Sequence, residues 1–247
     1  HGPWKQVSVG AGFTCAISKS DQSVYCWGLN DSGQLGRPTN PSAPTEANKS
    51  PVKVLGIPER VVEISAGATS VCAVTASSNL YCWGGNSDGQ LGNDTTTASA
   101  SPETVTALLR NTKSVSVGSR TACAVTLTGA SFCWGNGASG ILGNGASLNS
   151  RTPVQVTGLS SGVSQVSVGQ SHACAIHNGA AKCWGSGAFG ALGNGLSETS
   201  TVAVNVTNLA SGVTRISAGS GYTCALKGTA PLCWGENRSG EIGDGTS

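Results

Sequence analysis

Charge is scarce in this chain. Lys, Arg, Asp and Glu make up 11% of its 247 residues, well under the usual quarter. The net charge is +2 and there is no basic run, so the electrostatic footprint of a nucleic-acid binder is missing. Methionine is absent and aromatics reach only 5%. No apolar stretch approaches the roughly 20 residues of a membrane span. The short motifs of common chemistry are missing too: no H-E-x-x-H, P-loop or EF-hand pattern, no C-x-x-C, and no G-x-S-x-G elbow between a strand and a helix. Histidine occurs only as His1, His172 and His177. No helical period is visible, which excludes an α-helical or α/β domain.

What the chain has is glycine, 36 residues of it, and ten cysteines spread evenly. Its length fits one large β domain over residues 1–247, and 38% hydrophobic residues suffice for a core in a chain this long. It starts at His1 rather than Met, which implies processing or trimming, and no signal peptide is visible.

A repeat organises everything else. "CWG" recurs at Trp27, Trp83, Trp134, Trp184 and Trp234, with spacings of 56, 51, 50 and 50 residues. Each is followed by four residues and then Gly-x-Leu/Ile-Gly. Each is preceded by a block such as "VSVGQSHACAIH" or "ISAGSGYTCALK". Within one copy "VSQVSVG" alternates and is β-branched, which reads as a strand. "HACAI" and "AAKCWG" flank a tight "HNG" turn and read as a hairpin. A further strand, "PVKVLG", "PETVTAL", "PVQVTGL" or "VAVNVTNL", precedes each of copies two to five. Assigned to the copy that follows it, this strand gives those copies four strands and the first copy three. Four short strands per repeat make a propeller blade. The repeats cover about 4–36, 51–92, 102–143, 153–193 and 202–243, with a polar, Pro-rich loop at 37–50. The glycines after Trp suit a turn that needs φ > 0.

"ISAGSGYTCAL…LCWGENRSGEIGDGT" resembles the repeat of the regulator-of-chromosome-condensation (RCC1) superfamily, in the cysteine-bearing version of secreted bacterial proteins and crinkly-type plant receptor ectodomains. The resemblance covers about residues 7–246. It implies an all-β fold, a β-propeller of five blades in this chain where relatives usually have seven. It also implies binding of a protein partner, because such propellers usually act by protein recognition.

The cysteines fall in pairs, Cys15–Cys26, Cys72–Cys82, Cys123–Cys133, Cys174–Cys183 and Cys224–Cys233, each straddling one hairpin. Directly opposed strand residues lie about 4.5 Å apart at Cα, within disulfide range. Zinc ligands stand about two to four residues apart, whereas eight to ten intervene here. One disulfide per blade is therefore expected, and with it a secreted or extracellular location, or the ectodomain of a surface protein. Tryptophan alternates with cysteine and should face a neighbouring blade as core.

Function should sit on the turns. The residues that end the variable triplet after the first strand, Phe13, Ser70, Thr121, His172 and Tyr222, occupy equivalent places and should form a ring on one face, with Arg120 and Gln170 beside them. Such a composition suits an interface. The competing reading is that the position is structural and ties down the turn. Phe189 is the one large apolar residue in the second variable turn. Sequons mark Asn30, Asn93, Asn205 and Asn237 as candidate glycan sites. No cofactor and no metal are expected. A lectin-like propeller would repeat one aromatic in every copy, and the ring does not. Copper at His1 would need a second placed histidine, which the sequence does not supply. A non-catalytic binding module is the reading these residues favour.

Overall fold

Alternating Val, Ile and Ser closed by glycine favour short extended segments, because β-branched side chains pack well on a pleated surface. A computed structural model describes residues 2–38 and 48–246, and within them these segments form strands β1 to β19 in five antiparallel sheets. Blade 1 is β1 (Trp4–Val9), β2 (Phe13–Ser18), β3 (Val24–Gly28) and β4 (Val52–Lys53). Blade 2 is β5 (Val61–Ala66), β6 (Ser70–Thr75), β7 (Leu80–Gly84) and β8 (Ser99–Thr104). Blade 3 is β9 (Thr112–Val117), β10 (Thr121–Thr126), β11 (Ser131–Gly135) and β12 (Ser150–Gln155). Blade 4 is β13 (Val163–Val168), β14 (His172–His177), β15 (Ala180–Gly185) and β16 (Ser200–Asn205). Blade 5 is β17 (Val213–Ala218), β18 (Tyr222–Lys227) and β19 (Ala230–Gly235). Most of the loop at 37–50 lies outside the described residues. No helix among them is long and apolar enough to cross a membrane.

One assignment from the sequence is corrected. The Pro-Val-x-Val strand belongs to the blade before it: β4 pairs with β3 (Cys26↔Val52), and β12 with β11 (Cys133↔Val154). After the Trp-Gly turn the chain returns along the free edge of its own hairpin, and only then crosses to the next blade. The blade with three strands among the described residues is therefore the fifth, not the first.

The cysteines stand directly opposite each other, as in Cys123↔Cys133. All five predicted disulfides are present, with Cα–Cα separations of 4.0 to 4.1 Å, and none of the described cysteines is free. A hairpin stapled in this way fits an extracellular protein.

Burial is concentrated between blades. Four apolar clusters mark the four junctions. In the blade 3–4 junction, Ile141, Leu142, Val156 and Leu159 pack against Val166, Val168, Ala173 and Trp184. Trp83, Trp134 and Trp184 are fully buried, and each indole N–H donates to a carbonyl of the preceding blade: Gln34, Gln90 and Ile141 at 2.8 to 3.0 Å. Trp234 does the same to Ala191. On the inner strands, the amide of each blade donates to a serine hydroxyl of the one before, Val117 to Ser65 and Val168 to Ser116. Closer still, a Cβ on Gly118 would collide with the carbonyl oxygen of Gly169. Glycine at that place reflects the approach of the next backbone, not an unusual φ.

The arc is open. Val7 and Val9 in β1 are 59% and 68% exposed, while their counterparts Val115 and Val117 are 5% and 7%. Among the described residues no buried cluster joins blade 5 to blade 1. Trp27 stacks against Trp4, with ring centroids 6.0 Å apart, where later tryptophans meet a preceding blade.

Candidate functional site

The expected ring of triplet-ending residues does not form a surface. Phe13, Ser70, Thr121 and His172 are buried, at 0 to 3% exposure, and Tyr222 is half-buried. The Phe13, His172 and Tyr222 side chains turn back over the glycine that closes the inner strand of their blade. A Cβ at Gly10 would strike the Phe13 ring, and one at Gly219 would lie 2.8 Å from Tyr222 Cε1. The structural reading of this position prevails. His172 shows why. Its Nε2 is 2.7 Å from Thr223 Oγ1 of the next blade, and its Nδ1 has no hydrogen-bond partner among the described residues. Burial pushes its pKa down to about 4, so the ring is neutral.

The turn face does carry a cleft, of about 580 Å³, where blades 3, 4 and 5 meet. Arg120, Gln170 and Phe189 line it, together with Ser119, Asn136, Ser171, Ser186, Ser220 and Glu236. Three of the candidate residues thus converge, while Phe13 and Thr121 belong to the packed interior.

The walls are set by hydrogen bonds between blades. Asp88 of the blade 2 turn accepts from Asn136 at 3.1 Å and from Asn149 at 2.9 Å. Its second oxygen lies 3.6 Å from Arg120 Nη1, which steadies a guanidinium that is otherwise largely exposed. Ser220 donates to the Gln170 side chain across the blade 4–5 junction. On the opposite lip, Arg238 lies 4.7 Å over the Phe189 ring and 3.6 Å from Glu236.

Phe189 is unusual in two ways. It is 50% exposed, and its φ is +57°, a left-handed conformation that disfavours a bulky residue. It also borders a second depression formed with Leu196, Thr207 and Trp234.

The second variable turn is partly structural. Asn30, Asn86 and Asn237 clamp it: their Oδ1 atoms accept the amides of Leu35, Leu91 and Ile242 at 2.9 to 3.0 Å. Their Nδ2 atoms donate to backbone carbonyls, of Arg37, Thr95 and Thr246 respectively. Asn30 is also buried. Of the other two sequon residues, Asn93 is half-buried and Asn205 exposed. Asp88, Asn136 and Glu236 shape the cleft and were missed, because their importance depends on a neighbouring blade. His172 and His177 sit at opposite ends of β14, and His1 lies outside the described residues.

Known proteins share the repeat and the fold. The "Regulator of chromosome condensation (RCC1) repeat" matches residues 21–74, 77–125, 128–176 and 178–226. The ultraviolet-B receptor UVR8 of Arabidopsis thaliana is 34% identical over 173 residues, covering 69% of this chain and 38% of the receptor. Human E3 ubiquitin-protein ligase HERC2 is 32% identical over 177 residues, 70% of this chain and 4% of the ligase. The chain therefore spans less than two-fifths of either relative. Among solved structures, human WBSCR16 superposes with a TM-score of 0.87 at 23% identity, over 98% of this chain and 64% of that one. Yeast Prp20p, whose structure was determined alongside its binding to Gsp1p and histones, gives 0.79 at 20% identity, over 91% and 56%. These structures share the fold, and the recurrence of the repeat through most of the sequence shows that the chain belongs to the RCC1-repeat family.

Proposed function

We propose that this protein is an extracellular, non-catalytic recognition module that holds a protein partner in the turn-face cleft of blades 3 to 5. One observation carries the reading. Phe189 keeps a half-exposed aromatic ring in a left-handed backbone that costs about 1 kcal/mol or more. Its conformation costs the fold, half of its ring stays open to solvent, and Arg238 is the one cation over it among the described residues; exposed aromatics beside arginine are typical binding anchors. Five disulfides support an oxidising location. The cleft offers a guanidinium, a carboxylate, hydroxyls and one ring, with no base paired to a nucleophile. Protein ligands of Prp20p, including Kap60, favour the same mode of action.

The test is site-directed photocrosslinking. A photoreactive amino acid at position 189 should trap one protein from the extracellular fluid of the source organism. The same probe at Leu55, which is 72% exposed beyond β4, should not trap it. Adding Arg120→Ala should lower the yield about tenfold. Equal trapping at both positions would overturn the proposal.

A further inference from the structure

One position on the inner strands decides how a blade is tied to the next. Gln6, Glu63, Ser114, Gln165 and Arg215 occupy it, each in the same register with its hairpin: Gln6↔Ile17, Glu63↔Val74, Ser114↔Val125, Gln165↔Ile176 and Arg215↔Leu226. All five line a cavity of about 560 Å³ beside the inner strands. Where the residue is glutamine, its amide bridges the junction twice. Gln6 Nε2 donates to the Ile64 carbonyl at 2.9 Å, and Gln6 Oε1 accepts the Ile64 amide at 3.2 Å. Gln165 does the same with Ile216, at 2.9 and 3.2 Å. Ser114 is too short for the bridge, and its hydroxyl has no hydrogen-bond partner among the described residues.

Glu63 completes the half of the bridge that needs an acceptor. Its carboxyl accepts the Val115 amide at 3.3 Å. Val115 is the counterpart of Ile64 and Ile216, since it stands opposite Ala124 as they stand opposite Ala73 and Ala225. Its carbonyl therefore points to Glu63 as theirs point to Gln6 and Gln165. The second carboxyl oxygen takes the place of a glutamine N–H donor. An ionised carboxylate only accepts. Two acceptors would then face each other, and the carbonyl of buried Val115 would lack a donor, which is costly.

We propose that Glu63 is a neutral acid in the folded protein, its carboxyl O–H donating to the Val115 carbonyl, so that the blade 2–3 junction is a proton-operated latch, closed in acid and loosened by ionisation. The latch is independent of the turn-face cleft. The strands packed on β5 are β1, β2, β6 and β9. Their charged groups are Lys5 of β1 and Lys113 of β9, both exposed, as are Arg60 just before β5 and Arg215 across the cavity. Among the described residues none of these pairs with Glu63, whose one hydrogen bond is from Val115. Burial raises its pKa above 4.5, against a weaker pull from the Val115 amide. Below 4.5 the folded and unfolded chains both carry the proton, and the latch contributes in full. Its contribution is lost as pH rises through the raised folded value.

The test is a carbon-13 NMR titration of the 247-residue chain. The Glu63 carboxyl carbon should titrate above 4.5, and the Val115 carbonyl carbon should move in the same step. The carbonyl of Val166, the counterpart beyond Ser114, should not. Glu63→Gln supplies the donor without a proton. Its folding equilibrium constant should exceed that of the wild type about tenfold at pH 7 and match it within about twofold near pH 4. Gln165→Glu should transfer the behaviour to the blade 4–5 junction, lowering stability at pH 7 and restoring it in acid. A Glu63 midpoint at or below 4.5, a Val115 carbonyl that stays still, a Glu63→Gln gain that does not vary with pH, or a Gln165→Glu variant without the acid recovery would each overturn the proposal.

Discussion

Trp134 donates its indole N–H to the backbone carbonyl of Gln90, 2.9 Å away in the preceding blade. This bond joins two parts of the repeat that are far apart in one copy and adjacent across a junction. It also explains why tryptophan, and not phenylalanine, stands in the "CWG" of blades 2 to 5. Replacing Trp134 by Phe keeps a ring but leaves the buried Gln90 carbonyl unpaired, and should destabilise by about 1–3 kcal/mol. The same change at Trp27, whose indole meets Trp4 instead, should cost less. Guanidinium unfolding of the two variants measures the difference.

Gly118 shows a different constraint. Its Cβ would strike the Gly169 carbonyl, a backbone atom that cannot swing aside. Gly118→Ala should therefore lower stability by about 2 kcal/mol or more, as overpacking does. Gly158, with φ of +78° and nothing within 4 Å of a Cβ, should lose only about 1 kcal/mol as alanine. A reversed order of the two midpoints would show that backbone conformation matters more than contact between blades.

Much of this was legible in the sequence, because the information was local. Cys174 and Cys183 lie nine positions apart across a turn, so their pairing follows from hairpin geometry. The blade ownership of Val154 and Val204 was not legible, since a strand between two hairpins in sequence can pair with either. Burial of Phe13 and His172 was hidden for a related reason. Each looks like a variable turn residue in its own copy and becomes interior only when the neighbouring blade is placed. Phe189 stood out as the only large apolar residue in its turn, but its left-handed backbone could not be read from the letters.

His172 makes stability depend on pH. Burial lowers its pKa from 6.5 to about 4, so between those values the unfolded chain binds the proton and the folded chain does not. Stability from this group is full above pH 6.5 and is lost as pH falls toward 4, by up to about 3 kcal/mol. Glu63 acts in the opposite sense, because burial raises its pKa. Comparison with His172→Phe, the residue found at the equivalent place as Phe13, isolates the histidine. The wild-type protein should lose more stability than the variant between pH 7 and pH 4.

The disulfides can be separated from the packing around them. Cys123 and Cys133 are both fully buried and close a short loop. Replacing both by alanine should cost about 2–3 kcal/mol through the unfolded chain, with an added loss for the smaller side chains. Cys123 and Cys133 also pack in the blade 3–4 junction cluster, so that junction should loosen, while the other three clusters keep their members and the variant should still unfold in a single transition. A separate early transition would mean that blade 3 depends on its own staple for folding.

Phe189→Gly tests whether the fold or a partner requires the aromatic ring. Glycine adopts a φ near +57° without strain, and a half-exposed ring contributes little burial. If phenylalanine served the fold, its removal would lower the unfolding midpoint. If it serves recognition, the midpoint should rise, by about 1 kcal/mol in equivalent stability, while partner trapping near the cleft falls. Arg238 sharpens the comparison, since it packs on the Phe189 ring. Arg238→Gln should weaken binding without the gain in stability, because it frees the ring but leaves the left-handed backbone in place. A variant that is both more stable and less able to bind would identify Phe189 as a residue kept at the expense of the fold.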